Sequence, residues 1–154
     1  MKSKLTLLIC GTSFIITAWL LTYQTQLLEC VSESLLRIRT ILVWKGAAVS
    51  RGDIVSIKNH PVVYVKATNF AKRVLGLPGD SITPHNDILQ IGSYRLPLLK
   101  QTKDGNPLTP LSTDYIPQGY VFVGGDHPRS FDSRYEEFGL VPLRKIWGKG
   151  IATW

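Results

Sequence analysis

Cysteine is scarce in this chain: 154 residues hold two, Cys10 and Cys30. Cys10 falls inside an apolar run and Cys30 just beyond it. A bridge between them would have to join membrane core to membrane surface, which disulfide geometry disfavours. The chain is therefore no disulfide scaffold, and its cysteines leave the redox compartment open. Metal-ligand spacing is missing as well. His60, His85 and His127 stand alone in turn-like segments with no His-x-x-x-His pair. They are read as surface or loop histidines, not as a metal site or the base of a Ser-His-Asp triad. No metal and no cofactor is expected. The formal charge is +7, yet the basic residues are dispersed and form no basic helix, which argues against nucleic acid as a partner. There is no internal repeat and no low-complexity tract.

Charge of either sign is absent from residues 5–28. The apolar core runs from Leu5 to Tyr23, long enough at about 1.5 Å per residue to cross a hydrocarbon layer of ~30 Å. Lys2 and Lys4 precede it and Glu29 is the first charge after it, so the positive-inside rule puts the N-terminus in the cytoplasm and the remainder outside. Trp19 and Tyr23 suit the outer interface. The run exceeds a usual signal-peptide core and no small-x-small site follows it, so an uncleaved transmembrane anchor is expected. The division is then 1–28, anchor, and 29–154, extracytoplasmic domain.

Helical periodicity is weak beyond the anchor, and Ser34–Val43 fits helix or strand. Ile54–Lys58 alternates like a strand, and the β-branched run Pro61–Lys66 reads as its hairpin partner across Asn59-His60. Arg73–Leu77, Ile88–Ile91, Tyr94–Leu99 and Tyr120–Val123 are further strands; Leu140–Ile146 and Gly150–Trp154 could close the sheet. Residues 100–112 are polar and turn-rich, an exposed loop. Short strands with frequent Gly and Pro predict an all-β antiparallel domain, a sandwich or partly open barrel.

Two stretches are rich in chemistry. Lys72–Asp80, KRVLGLPGD, carries a lysine among Phe70, Ala71, Val74, Leu75 and Leu77. Desolvation disfavours an ammonium and lowers its pKa by roughly 3–5 units when burial is complete. Such a lysine can serve as a general base, and with a serine it makes a hydrolase that needs no histidine. The plainer reading is a strand ending in a Pro-Gly-Asp turn with its basic side chains in water. Gly124–Leu140, GGDHPRSFDSRYEEFGL, packs two glycines, two serines, two aspartates and two arginines into Gly124–Arg134. By itself it reads as a polar turn with an Asp132–Arg134 ion pair.

Together these stretches resemble the signal peptidase I family of Ser/Lys endopeptidases. In that family a KRV-x-GLPGD segment supplies the lysine base and a later GD…S-x-DSR…G segment supports it. Here they are Lys72–Asp80, then Gly125-Asp126, Ser130-Phe131-Asp132-Ser133-Arg134 and Gly139; Gly52-Asp53-Ile54-Val55 matches the family's GD-x-V strand. The second segment is one residue shorter than the commonest form. The Ser-Met-x-Pro-Thr that most signal peptidases carry before the GD strand is replaced by Val43–Ser50, with Trp44 about where its serine would fall. A conjugative-transfer (TraF-type) branch instead places Thr/Ser-x-Ser-Leu-Pro farther upstream. Ser32-Glu33-Ser34-Leu35-Leu36, followed by Arg37 and Lys45, is similar to it, with Leu36 where the proline stands. Ser130–Leu140 is also closer to this branch.

The resemblance implies Ser34 as nucleophile, Lys72 as base and the Ser32 hydroxyl in the oxyanion hole. It has Ser130 orient the lysine amine, Asp132 and Arg134 hold that loop, and Asp126 play a structural part. Ser50 and Ser133 are the rival nucleophiles. The implied enzyme sits in the bacterial inner membrane with a periplasmic catalytic domain and no nucleic-acid partner. It cleaves a membrane-inserted precursor after small residues through an acyl-enzyme, and a conjugative pilin precursor is the implied substrate. In some relatives of that branch the substrate's own amine resolves the acyl-enzyme to a cyclic product. Two alternatives stand beside this: a general signal peptidase removing secretory leader peptides, and a non-catalytic pilus or secretion assembly factor that keeps the fold.

Overall fold

The computed structural model describes residues 12–13, 15–20, 22–29, 35, 38–67 and 69–154. Between 12 and 24 the described residues are helical. Among the described residues no helix is long and apolar enough to cross a membrane; much of the expected 5–23 span lies outside them.

The rest is antiparallel β, as the turn density predicts. β1 (Thr25–Glu29), β2 (Thr40–Lys45), β3 (Ile54–Ile57), β4 (Phe70–Gly76), β8 (Tyr120–Gly124), β9 (Val141–Pro142) and β10 (Ile146–Thr153) form a seven-stranded sheet in the order β1-β2-β10-β3-β4-β8-β9. β5 (Ile82–His85), β6 (Ile88–Ile91) and β7 (Tyr94–Pro97) form a separate three-stranded sheet. β1 begins at Thr25 and pairs with β2 along its whole length, so strand structure starts ahead of the boundary expected at residue 28.

β4 and β8 carry two cores on opposite faces, because strand side chains alternate. Val74, Val121 and Val123 pack with Val55, Ile57, Phe138 and Val141. Their neighbours Leu75 and Phe122 turn the other way, against Ile82, Leu89 and Ile91 of the small sheet. Lys72 has the same parity as Val74, so its side chain shares the first core's face. A third cluster, Leu35, Ile41, Val43 and Ile54, sits toward β2 and β3.

Several local expectations give way to long-range pairing. Pro61–Lys66 is no strand. β3 pairs instead with β4, Ile54 opposite Arg73 through Ile57 opposite Phe70, and on its other side with β10. Pro61 has no N–H to offer a ladder, and Tyr64 takes φ 70, outside the strand region. High β propensity loses here to a partner that buries side chains on both faces. The expected closing strand Leu140–Ile146 is only the two-residue β9 and a 3-10 turn at Leu143–Lys145, while β10 runs unbroken from Ile146 to Thr153. Its glycines permit that course: a Cβ on Gly148 would stand 2.5 Å from the Trp44 carbonyl oxygen, so only glycine lets β10 approach β2 there.

Candidate functional site

Lys72 lies mid-strand in β4 and is 3% exposed. Its Nζ donates to Ser130 Oγ at 2.9 Å and stands 5.9 Å from the centroid of the Phe138 ring. Burial lowers its pKa to about 8; the Asp132 carboxylate opposes that shift and the Arg134 charge adds to it. The amine therefore loses its proton within reach of physiological pH, as a general base requires.

Ser130 reaches Lys72 because its loop is built around one buried ion pair. Asp132 is 0% and Arg134 1% exposed. Arg134 Nε and Nη2 donate to the two Asp132 oxygens at 2.8 and 2.9 Å. The other three N–H groups donate to the carbonyls of Pro97 and Pro128 at 2.9 Å and of Ser130 at 2.7 Å. All five guanidinium donors are thus used. Burial alone would lower the Arg134 pKa, but the hydrogen bonds and charge of Asp132 raise it. Asp132 also accepts from the Gly125 N–H at 2.9 Å, which ties the loop back to the end of β8.

The structure therefore brings Lys72, Ser130, Asp132 and Arg134 together. Ser32 and Ser34 lie outside the described residues, as does Leu36. The rivals are placed differently. Ser133 is fully buried and locks its loop to β8: its Oγ accepts from the Val123 N–H, and its own N–H donates to the Val123 carbonyl, each at 3.1 Å. Ser50 is exposed in the turn ahead of β3, where its N–H donates to Asp53 at 2.7 Å. Asp126 accepts from Arg73 at 2.9 and 3.1 Å. The Pro-Gly-Asp turn is fastened likewise, with Asp80 accepting from Arg51 at 2.9 and 2.8 Å and from the Leu77 N–H at 2.6 Å.

Two residues, one beside the lysine and one packed behind it on Phe138, escape sequence reasoning. Phe138 walls the Lys72 amine and packs edge-on against Phe70 and Phe131. The spacing of Phe131 and Phe138 in an otherwise polar loop was its only signal. His60 is in a connecting segment, as expected, but it is buried rather than on the surface. Its Nε2 lies 2.8 Å from the Phe138 carbonyl oxygen, and its ring centroid is 4.9 Å from that of Phe138. Burial lowers its pKa; the Phe138 carbonyl opposes this and the Lys145 charge adds to it.

Among the described residues no group of His, Cys, Asp and Glu side chains could hold a metal ion. The family model for signal peptidases, peptidase S26, matches residues 2–154. The chain belongs to the S26 signal peptidase family. Signal peptidase I of Bacillus caldolyticus is 33% identical over 117 residues, covering 63% of this chain and 61% of the relative. Signal peptidase I U of Bacillus subtilis is 38% identical over 99 residues, covering 59% and 50%. Subunit 1 of the mouse mitochondrial inner membrane protease is 32% identical over 104 residues, covering 66% and 47%. The chain thus spans about half to three fifths of the length of these curated relatives. A crystal structure of a signal peptidase I from Enterococcus faecalis aligns with 67% of this chain and 97% of its own, at 28% identity and a TM-score of 0.45.

Proposed function

We propose that this S26 member is a membrane-anchored serine endopeptidase that cleaves a translocated, membrane-inserted precursor through a Ser34/Lys72 dyad. The observation that carries the reading is the buried Lys72 amine held on Ser130 Oγ at 2.9 Å. In this mechanism neutral Lys72 takes the Ser34 proton as the hydroxyl attacks the scissile carbonyl. The tetrahedral oxyanion is met by the Ser34 N–H and the Ser32 hydroxyl, a contribution of about 2.7–4 kcal/mol per donor. Lys72 then passes the proton to the leaving amine, and water, activated by the same lysine, releases the acyl group. Ser130 is a positioning residue, and Asp132 with Arg134 holds its loop in place. Four exposed apolar side chains on the N-terminal helical residues, Ile15, Ile16, Trp19 and Leu20, support the membrane anchoring, since lipid is the solvent that suits them.

Leader-bearing precursors are the substrate class that fits the Bacillus relatives, which are named signal peptidases I. A conjugative pilin precursor is the narrower reading. It is supported by Ser32-x-Ser34-Leu35 and by the Ser130–Leu140 segment. Purified protein offered a secretory precursor beside a propilin separates the two by which one it cuts. Ser34→Ala tests the dyad itself: precursor processing disappears, and so does the covalent adduct that a penem-type serine acylator forms on the wild type. Unchanged processing by both Ser34→Ala and Lys72→Ala would falsify the dyad, and a wild type that takes no adduct favours the non-catalytic assembly factor.

The lysine also sets a pH signature. With its pKa at about 8, the neutral fraction of Lys72 rises about tenfold from roughly pH 7 to roughly pH 9, and kcat/KM for precursor cleavage rises with it. A profile that is flat across that range, or that falls, removes Lys72 as the base.

A further inference from the structure

A cavity of about 310 Å³ opens beside Ser130. Leu99, Phe131 and Tyr135 line it together with Tyr64 and Val65 of the β3–β4 connection. The inner part is rigid: Tyr135 is fully buried, and its hydroxyl accepts from the Leu99 N–H at 3.0 Å. The mouth is not covered, since Tyr64 is 43% and Val65 39% exposed. Apolar surface left open around a cavity suits an apolar ligand group.

The charges at the cavity have one sign in excess. Lys103 and Arg129 line it against a single carboxylate, Asp104, with His127 beside them. Arg51, Arg73 and Arg134 are each tied to an aspartate, whereas Lys103 and Arg129 make no ion pair among the described residues. These cations are available to a ligand, and the ligand chemistry they select is a carboxylate next to an apolar side chain.

The contact with the base says which part of a peptide that is. Ser130 comes from the connection between β8 and β9; it lines the cavity and accepts from the Lys72 amine at 2.9 Å, so the cavity opens on the side of the base. In acyl transfer the base that returns its proton to the departing amine lies toward the leaving group.

We propose that this cavity binds the leaving-side segment of the precursor, the residues just past the scissile bond, by taking an apolar side chain among Leu99, Phe131 and Tyr64 and a carboxylate at Arg129 and Lys103. This rests on the Ser/Lys peptidase reading above. Occupation would press on Ser130, the residue that holds the Lys72 amine, so a matched leaving segment also seats the base.

The test uses the full chain in detergent and two synthetic precursor peptides with one leader and one cleavage site. They differ only in a Glu or a Lys shortly after the cut. The wild type cleaves the Glu peptide with a kcat/KM about fivefold higher, the scale of an exposed ion pair gained. Arg129→Glu and Lys103→Glu each erase or invert that preference without lowering the melting temperature. A fluorescein-labelled acidic leaving-side peptide is titrated in parallel against Ser34→Ala, with and without Arg129→Glu; the added substitution weakens its binding. Equal cleavage of both peptides by the wild type, or a preference that both charge reversals leave intact, overturns the proposal. So does an effect of Arg129→Glu confined to binding of anionic phosphatidylglycerol vesicles, which would assign these cations to a lipid surface. If neither peptide is cut but the labelled peptide binds and Arg129→Glu abolishes that binding, the peptidase reading fails while the acidic-peptide cavity stands.

Discussion

Arg134→Ala lowers the unfolding free energy by about 3–5 kcal/mol, the scale for removing one member of a buried ion pair. Two causes add. The Asp132 carboxylate, fully buried, loses its bidentate partner and stays desolvated. The carbonyls of Pro97, Pro128 and Ser130 lose the donors that now reach them at 2.7–2.9 Å, and unpaired buried acceptors are costly. For a domain whose whole stability is about 5–15 kcal/mol, the variant is marginal at best. Arg134→Lys does not restore it, because one ammonium cannot reproduce five donors in a planar fork. Urea unfolding followed by circular dichroism measures the loss; a change below about 1 kcal/mol, the range of exposed pairs, would mean that the pair does not organise this loop.

Lys72→Met is expected to move activity and stability in opposite directions. Without the amine, precursor cleavage falls by at least about 10²–10⁴-fold, the contribution of a general base. Methionine keeps most of the side-chain volume and removes a charge that burial disfavours. The sign follows from the direction of the shift. Folded Lys72 has its pKa at about 8 against an ordinary 10.5, so folding favours the neutral amine. Below about pH 8 the wild type carries a protonated, desolvated lysine at the full penalty, and the penalty fades as pH rises toward about 10.5. Lys72→Met therefore melts higher than the wild type near pH 7, and the gap closes in alkaline buffer. A variant that melts lower at neutral pH would make Lys72 a stabilising element, not a group held at a cost for chemistry. Measuring melting and cleavage on one preparation separates the two roles.

Much of the lysine's neighbourhood was legible along the chain. The apolar flanks of Lys72 forecast its burial because the side chains of β4 alternate between two cores. Asp132 and Arg134, two residues apart, were readable as a pair since the contact is local. Ser130 could be linked to Lys72 only through resemblance: 58 residues separate them, and no periodicity relates them. The Pro61–Lys66 run shows the opposite failure. Its composition is that of a strand, but pairing is decided by which partner buries the most surface, and β4 and β10 outcompete it for the two edges of β3. His60 failed for the same reason. A lone histidine in a turn reads as solvated, and only the packing of Phe138, 78 residues away, encloses it.

The sequence by itself determined the all-β class, the two motif segments and the residue types from which a Ser/Lys site could be made. These are properties of composition and local order, and they survive whatever the chain does at long range. Only the tertiary structure decided that β4 would run inside a seven-stranded sheet, between β3 and β8, that Arg134 would use every donor it has, and that an amine and a hydroxyl far apart in the chain would meet at 2.9 Å. Such contacts depend on which distant strands pair. Pairing is settled by burial on both faces of a strand and by the satisfaction of buried polar groups, and neither is a property of any segment taken alone.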